Sequence, residues 1–245
     1  MVPANSYSRS PLVEALLDFQ VELPKDFVAK KLEECQEPVK VDYPSSSPLR
    51  HAYGRIELGD QVNASATSQD IGNRFVDASG LQIFQARVDG FTYNRLAPYL
   101  GWQKFSSEAR RLWDVYRDVT KPVRLKRVAA RYINRIDIPA PLVELKDYFR
   151  TGPEVSPALP QSMAAFFVQV TLPVEELKAL VTLTETMAQP PRPGITSVVF
   201  DLDLFRTNEL PTDEAGLWEL IERFRDWKNK IFEACITDKI RELIK

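Results

Sequence analysis

The sequence predicts an α+β protein made of two similar half-units, each an antiparallel sheet backed by one long helix, in a pseudo-twofold arrangement. Three observations carry that expectation: short runs of period-two hydrophobicity separated by turn residues, two long stretches of helical period, and an echo between the halves. The first element is a half-buried strand over residues 12–23, with Val13, Ala15, Leu17, Phe19, Val21 and Leu23 on one parity and Glu14, Asp18, Gln20 and Glu22 on the other. Pro24 ends it, and the spacing of Phe27, Val28, Lys31 and Leu32 predicts a short helix to about Gln36, stopped by Pro38. Tyr43 to Pro48 reads as a loop. Residues 52–59, 62–70, 73–77 and 81–94 read as successive short strands, an antiparallel meander punctuated by Gly-Asp, Gly-Asn and Ser-Gly.

Trp102, Phe105, Ala109, Leu112, Trp113, Tyr116 and Val119 recur at three and four, which predicts the first long helix, closed by Pro122. A long strand follows over 123–138. Val128, Ala130, Tyr132, Ile136 and Ile138 share one parity, and Arg127, Arg131, Arg135 and Asp137 the other. Five prolines between Pro139 and Pro160 surround one amphipathic piece, Leu142 to Phe149, and mark a connector. Strands are expected at 164–172, 179–187 and 196–206, and a final helix from Thr212 or Asp213 with a stripe of Leu217, Leu220, Ile221, Phe224, Trp227, Ile231 and Cys235. The expected organisation is therefore 1–138, a connector 139–160, and 161–245, compatible with one compact domain. The echo consists of Phe91-x-x-Asn94-x-Leu96 against Phe205-x-x-Asn208-x-Leu210, and Leu112-Trp113-Asp114 against Leu217-Trp218-Glu219.

Composition narrows the function classes. In 245 residues, 44% apolar, 32 Lys and Arg stand against 34 Asp and Glu, a formal charge of −2 that removes the global basic field of a non-specific nucleic-acid or membrane-surface binder. Nine glycines against 18 prolines disfavour a glycine-rich phosphate cradle, and no P-loop, GxGxxG or GxSxG is present. Cys35 and Cys235 lie 200 positions apart among apolar neighbours and read as reduced, buried thiols; no cofactor is expected. The N-terminus lacks a basic and then apolar leader pattern, and no run approaches the ~20 apolar residues of a membrane span, so the expectation is a cytoplasmic protein.

Lys121, Arg124, Lys126, Arg127, Arg131 and Arg135 place six cations in fifteen residues. On an extended strand Arg127, Arg131 and Arg135 project to one face about 13 Å apart, either as an anion site or as a cross-strand ladder with Glu14, Asp18 and Glu22. Tyr93 to Trp102 interleaves aromatics with Asn94 and Arg95, which suits a planar ligand or a helix anchored by its rings. Asp201 and Asp203 share a strand face and form an alternative divalent-metal pair. His51 is the sole histidine, and Thr237-Asp238-Lys239 reads as a polar interruption in a helix.

Pro11-Leu-Val-Glu-Ala-Leu-Leu-Asp-Phe19, Asn94-Arg-Leu-Ala-Pro-Tyr99, Arg131-Tyr-Ile-Asn-Arg-Ile-Asp137 and Phe232-Glu-Ala-Cys-Ile-Thr-Asp238 together resemble a sporadically distributed family of uncharacterised bacterial cytosolic proteins of similar length. The resemblance implies a compact, patchily inherited protein, compatible with a mobile or defence-associated role. Its polar pattern positions are Arg95, Tyr99, Arg131, Asn134, Arg135 and Asp238, which become the candidate site. The expected function is a non-enzymatic binding module that recognises an anionic ligand or a protein partner through the arginine-rich strand face. The alternatives are a metal-dependent phosphoryl-transfer or phosphodiester enzyme using Asp201 and Asp203, and a nucleic-acid-binding accessory; no membrane partner is expected.

Overall fold

Alternation at period two builds one large antiparallel sheet, to which the long helices contribute their apolar stripes. The computed structural model describes residues 7–57, 63–161 and 163–245. Its strands are β1 (Leu12–Glu22), β2 (Ser45–Glu57), β3 (Asn63–Val76), β4 (Gln82–Arg87), β5 (Gly90–Leu96), β6 (Arg124–Ile138), β7 (Phe167–Val174), β8 (Ala179–Ala188) and β9 (Thr196–Arg206). The hydrogen-bonded order is β2-β3-β4-β5-β1-β6-β9-β8-β7. The α-helices are α1 (Trp102–Thr120), α2 (Glu214–Cys235) and α3 (Asp238–Ile244). The fold is thus α+β, and no helix among the described residues is long and apolar enough to cross a membrane.

The chain divides into two compact units, but elsewhere than at the proline-rich connector. One unit holds residues 18–95 and 100–126; the other holds 1–17, 96–99 and 127–245. In the first, Phe19, Phe84, Phe91 and Trp113 form a continuous ring cluster, with Phe19 edge-on to Trp113 at 5.1 Å between centroids and Trp113 stacked on Tyr116 at 5.6 Å. The buried face of α1 is the expected stripe of Trp102, Phe105, Ala109, Leu112, Trp113 and Tyr116. In the second unit, Phe149, Phe200 and Phe232 pack ring to ring beneath α2.

Several elements differ from the sequence expectation, each for a local reason. Residues 24–36 form no α-helix: Ala29–Gln36 is a 3-10 helix, in which Leu32 and Cys35, three apart, stack on one buried side. The expected loop at Tyr43 to Pro48 contributes Ser45 to Pro48 to β2, and the proline is accommodated because β2 ends the strand order and leaves one edge unpaired. The expected strands 62–70 and 73–77 are one strand, since the pairing of β2 with β3 steps from Leu49↔Gly72 to Arg50↔Asp70 and skips Ile71 as a bulge. Residues 81–94 are two strands, β4 and β5, joined by a two-residue turn at Val88-Asp89, with Arg87 paired to Gly90. The strand ends expected near 58–62 lie outside the described residues.

The stripe of α2 is rotated from the expected one: Phe232 is buried and Trp227 and Ile231 are half-buried. A break at Ile236 separates α2 from α3, as the polar Thr237-Asp238-Lys239 suggested. The sequence echo does not occupy matching places. Phe91 to Leu96 lie within β5, whereas Phe205 closes β9 and Asn208 to Leu210 fall in the turn beyond it.

At Gly90, β5 lies against the β1 backbone, and a Cβ there would sit 2.2 Å from the Phe19 carbonyl oxygen. Gly90→Ala should cost about 2–3 kcal/mol in urea unfolding, because backbone rather than a mobile side chain must give way. Gly54→Ala, with nothing near its Cβ, should be close to neutral.

Candidate functional site

The pleat of β6 decides what the arginine row can do. Arg127, Arg131 and Arg135 project to one face; Tyr132, Asn134 and Ile136 project to the other, where they are buried. Asn134 therefore shares no surface with Arg131 and Arg135. Its amide Nδ2 donates to the Phe200 carbonyl at 3.1 Å, a structural bond inside the core.

On the arginine face the partners come chiefly from β9. Arg131 Nε and Nη2 donate to both carboxylate oxygens of Asp201 at 3.0, 3.0 and 2.5 Å, with Glu14 adding to the field that, after the Asp201 bonds, holds the guanidinium in its charged form. Arg127 Nη2 donates to Asp203 at 2.8 Å and its guanidinium lies 4.8 Å over the Phe205 ring. Burial raises the Asp203 carboxyl above its ordinary value, against the pull of Arg127 and Arg131. Arg135 donates to Asp137, to the Gln189 carbonyl and to Ser197 Oγ at 3.0, 2.8 and 3.1 Å. The expected pairing with β1 is met only in part: Glu22 takes Arg124 at 2.7 Å, and Asp18 takes Arg87 from β4 at 2.9 Å.

The arginine row is thus a ladder of ion pairs, and Asp201 and Asp203 are its acids. Among the described residues no group of three His, Cys, Asp or Glu side chains is placed to hold a metal ion.

The other candidates separate. Asp238 is 90% exposed in the first turn of α3, paired with Arg241 at 2.8 Å. Tyr99 is half-buried in the loop before α1, where burial raises its phenol and Arg225 and Glu222 of α2 supply the nearest charges. Cys35 and Cys235 are buried free thiols, pushed up to about 12 and about 11 by burial. His51 is exposed in β2 beside Tyr53.

Arg95 lines a concavity. A cavity of about 520 Å³ opens beside β5 and the first turns of α1, lined among others by Tyr93, Arg95, Lys104, Phe105, Glu108 and Arg111. Tyr93 and Arg95 share a strand parity, and Lys104, Glu108 and Arg111 follow the four-and-three spacing of one helix face. Stacked Tyr93 and Phe105 rings, 5.2 Å apart, form its floor. Tyr93 donates its hydroxyl to Gln82 Oε1 at 2.7 Å, and burial raises its phenol. Arg111 is committed to Glu108 at 2.7 Å and to Asp42 at 3.1 Å, while Tyr43 donates to the same glutamate at 2.8 Å. Three cations, Arg95, Lys104 and Arg111, against two carboxylates, Asp42 and Glu108, leave the lining with one net positive charge.

No protein-family model matches the chain, and no curated protein aligns with it.

One further polar group, Glu185, is buried on β8. On β8, Val181, Leu183, Glu185 and Met187 share the inward parity, so an acid stands where alternation calls for an apolar residue. Glu185 is 3% exposed, accepts a hydrogen bond from the Thr151 hydroxyl, and is pushed up to about 7 by burial, against the lowering effect of that bond.

Arg131→Ala leaves Asp201 largely buried without its bidentate partner and should destabilise the protein by about 2–3 kcal/mol, while Arg131→Met with Asp201→Leu should recover most of the loss in urea titrations. Glu185 carries a folded-state value above its ordinary 4.5, so its contribution is fully present below about pH 4.5 and is lost as pH rises through 7. Glu185→Gln should match wild type near pH 4 and exceed it by up to about 3 kcal/mol at pH 8, read as unfolding midpoints across that range.

Proposed function

We propose that the protein is a non-enzymatic binding module for a small anionic ligand, and that the ligand occupies the cavity beside β5 and α1. The observation that carries this reading is the meeting of Arg95 and Lys104 at a cavity of about 520 Å³, within the size range of small-molecule sites, whose lining is net positive. Arginine offers paired planar donors and lysine a mobile point charge, a combination suited to carboxylate or phosphate. Apolar wall from Leu100 and Phe105 would exclude water behind the ligand and strengthen the ion pairs. The arginine-rich strand face, expected from sequence to be the recognition surface, is reassigned in this reading to stability.

The same reading takes the protein as cytoplasmic and bacterial, as the four motifs resembling the sporadic family imply. It takes the two sheet-plus-helix units as a duplicated pattern, supported by Trp113 and Trp218, each buried on a long helix after a leucine.

Inorganic phosphate and citrate are the probes. At about ten times its dissociation constant, either anion should raise the wild-type melting temperature by roughly 3 °C, relative to chloride at equal ionic strength. Arg95→Gln with Lys104→Gln should abolish the rise while keeping the far-UV circular dichroism of wild type. An equal rise in the double variant, or none in wild type with either anion, overturns the proposal.

A further inference from the structure

The proline-rich connector between β6 and β7 is fastened to the sheet at two points. Thr196 Oγ1 donates to the Ala140 carbonyl at 2.8 Å and ties the start of the connector to β9, while the Thr151 hydroxyl ties its middle to Glu185 of β8. Gln161 closes the far end, its amide donating to the Ser156 and Leu159 carbonyls at 3.1 and 2.8 Å. Pro141, Pro153 and Pro157 stiffen the backbone between these fastenings. A cavity of about 340 Å³ is left among these walls, all within one unit of the chain, at the lower end of the size range of small-molecule sites. Because bonds inside the protein hold its walls, the cavity is formed before a ligand arrives.

The lining is mostly apolar. Leu145 and Val155 contribute aliphatic wall from the connector, and Met163 ahead of β7 and Met187 near the end of β8 contribute thioethers. A thioether is polarisable, adapts its shape to what it meets, and makes favourable contact with an aromatic ring. The charged lining is Glu144, Lys146 and Glu154. Glu144 takes Lys146 at 3.3 Å. Among the described residues Glu154 forms no ion pair, so the lining carries one uncompensated negative charge, the reverse of the cavity at Arg95.

We propose that this cavity binds a small organic cation with an aromatic body, an arylalkylammonium ion, with its ring against the thioethers of Met163 and Met187 and its ammonium at Glu154. An anion of the same shape is repelled by that carboxylate, and a neutral one gains only the apolar contact. A bare metal ion is a poor fit, because one free carboxylate supplies too few oxygens. The site lies within the unit that holds residues 127–245, takes a ligand of opposite charge to the one proposed at Arg95, and stands independently of it.

Two of the chain's three methionines line this cavity, so the full chain labelled at the methionine methyl carbons reads the site directly by nuclear magnetic resonance. Phenethylamine, phenethyl alcohol and phenylacetate are the probes, one shape in three charge states, titrated at neutral pH and low ionic strength. The amine should shift the Met163 and Met187 methyl resonances saturably, each assigned with its Leu variant. Its dissociation constant should be about threefold below that of the alcohol, the effect of one exposed ion pair, with phenylacetate weaker than either. Glu154→Gln, an exposed change outside helix and strand, should bring amine and alcohol to equal affinity while both methyl shifts persist. The proposal is overturned by the absence of a saturable shift at both methionines with the amine, by an alcohol or phenylacetate that binds wild type as tightly, or by an amine preference that survives Glu154→Gln.

Discussion

The two-residue repeat of β6 is the constraint on which the rest depends. Because successive side chains leave a strand on opposite faces, the stretch Arg131-Tyr-Ile-Asn-Arg-Ile-Asp137 cannot present Arg131, Asn134 and Arg135 to one ligand. One face becomes an ion-pair ladder closed by Asp201 and Asp203. The other becomes the floor beneath α2, where Asn134 is satisfied by a backbone carbonyl and Tyr132 supplies the ring that meets Lys228. A shift of one residue in the pairing of β6 with β9 would exchange these faces and bury three guanidinium groups. The eleven-residue register from Val128↔Arg206 to Ile138↔Thr196 is thus held by charge on one side and by apolar packing on the other.

Two polar residues stand where periodicity calls for apolar ones, and they respond alike. Glu185 interrupts the inward parity of β8, and Lys228 interrupts the buried stripe of α2. Among the described residues neither forms an ion pair, and burial acts on each through its protonation state, raising the acid to about 7 and lowering the amine to about 8. Each is thereby brought toward the neutral form that its surroundings tolerate. These exceptions to pattern are places where stability has been given up.

Most of the elements were legible in the sequence because their signals are local. The strand at 12–22, both long helices, β6 and the three strands of the C-terminal part follow directly from alternation or from three-and-four spacing. The bulge at Ile71 is not legible because Gly72 looks like a turn until its partner strand is known, and the two-residue turn at Val88-Asp89 lies inside a stretch that reads as one strand. The partners of the arginine row were not legible. Glu14, Asp18 and Glu22 carry the same spacing of four as the arginines, and only the strand order, with β9 beside β6, gives Arg127 and Arg131 to Asp203 and Asp201. The wall opposite Arg95 was open to reading, since Lys104, Glu108 and Arg111 share a helix face, but its apposition to β5 is a tertiary fact.

Competition is the reason the proposed anion is assigned to the cavity rather than to the ladder. An incoming phosphate at Arg131 must displace a carboxylate attached to the neighbouring strand, which is always present at high effective concentration and already makes two-pronged contact. It must also leave Asp201, whose side chain is only 10% exposed, without its cation, and that uncompensated charge costs more than a solvent-exposed arginine–anion pair returns. At the cavity the local acids have been spent on a different residue, because Asp42 and Glu108 both hold Arg111. An anion entering there meets Arg95 and Lys104 on the lining without undoing the carboxylate pairs of Arg111.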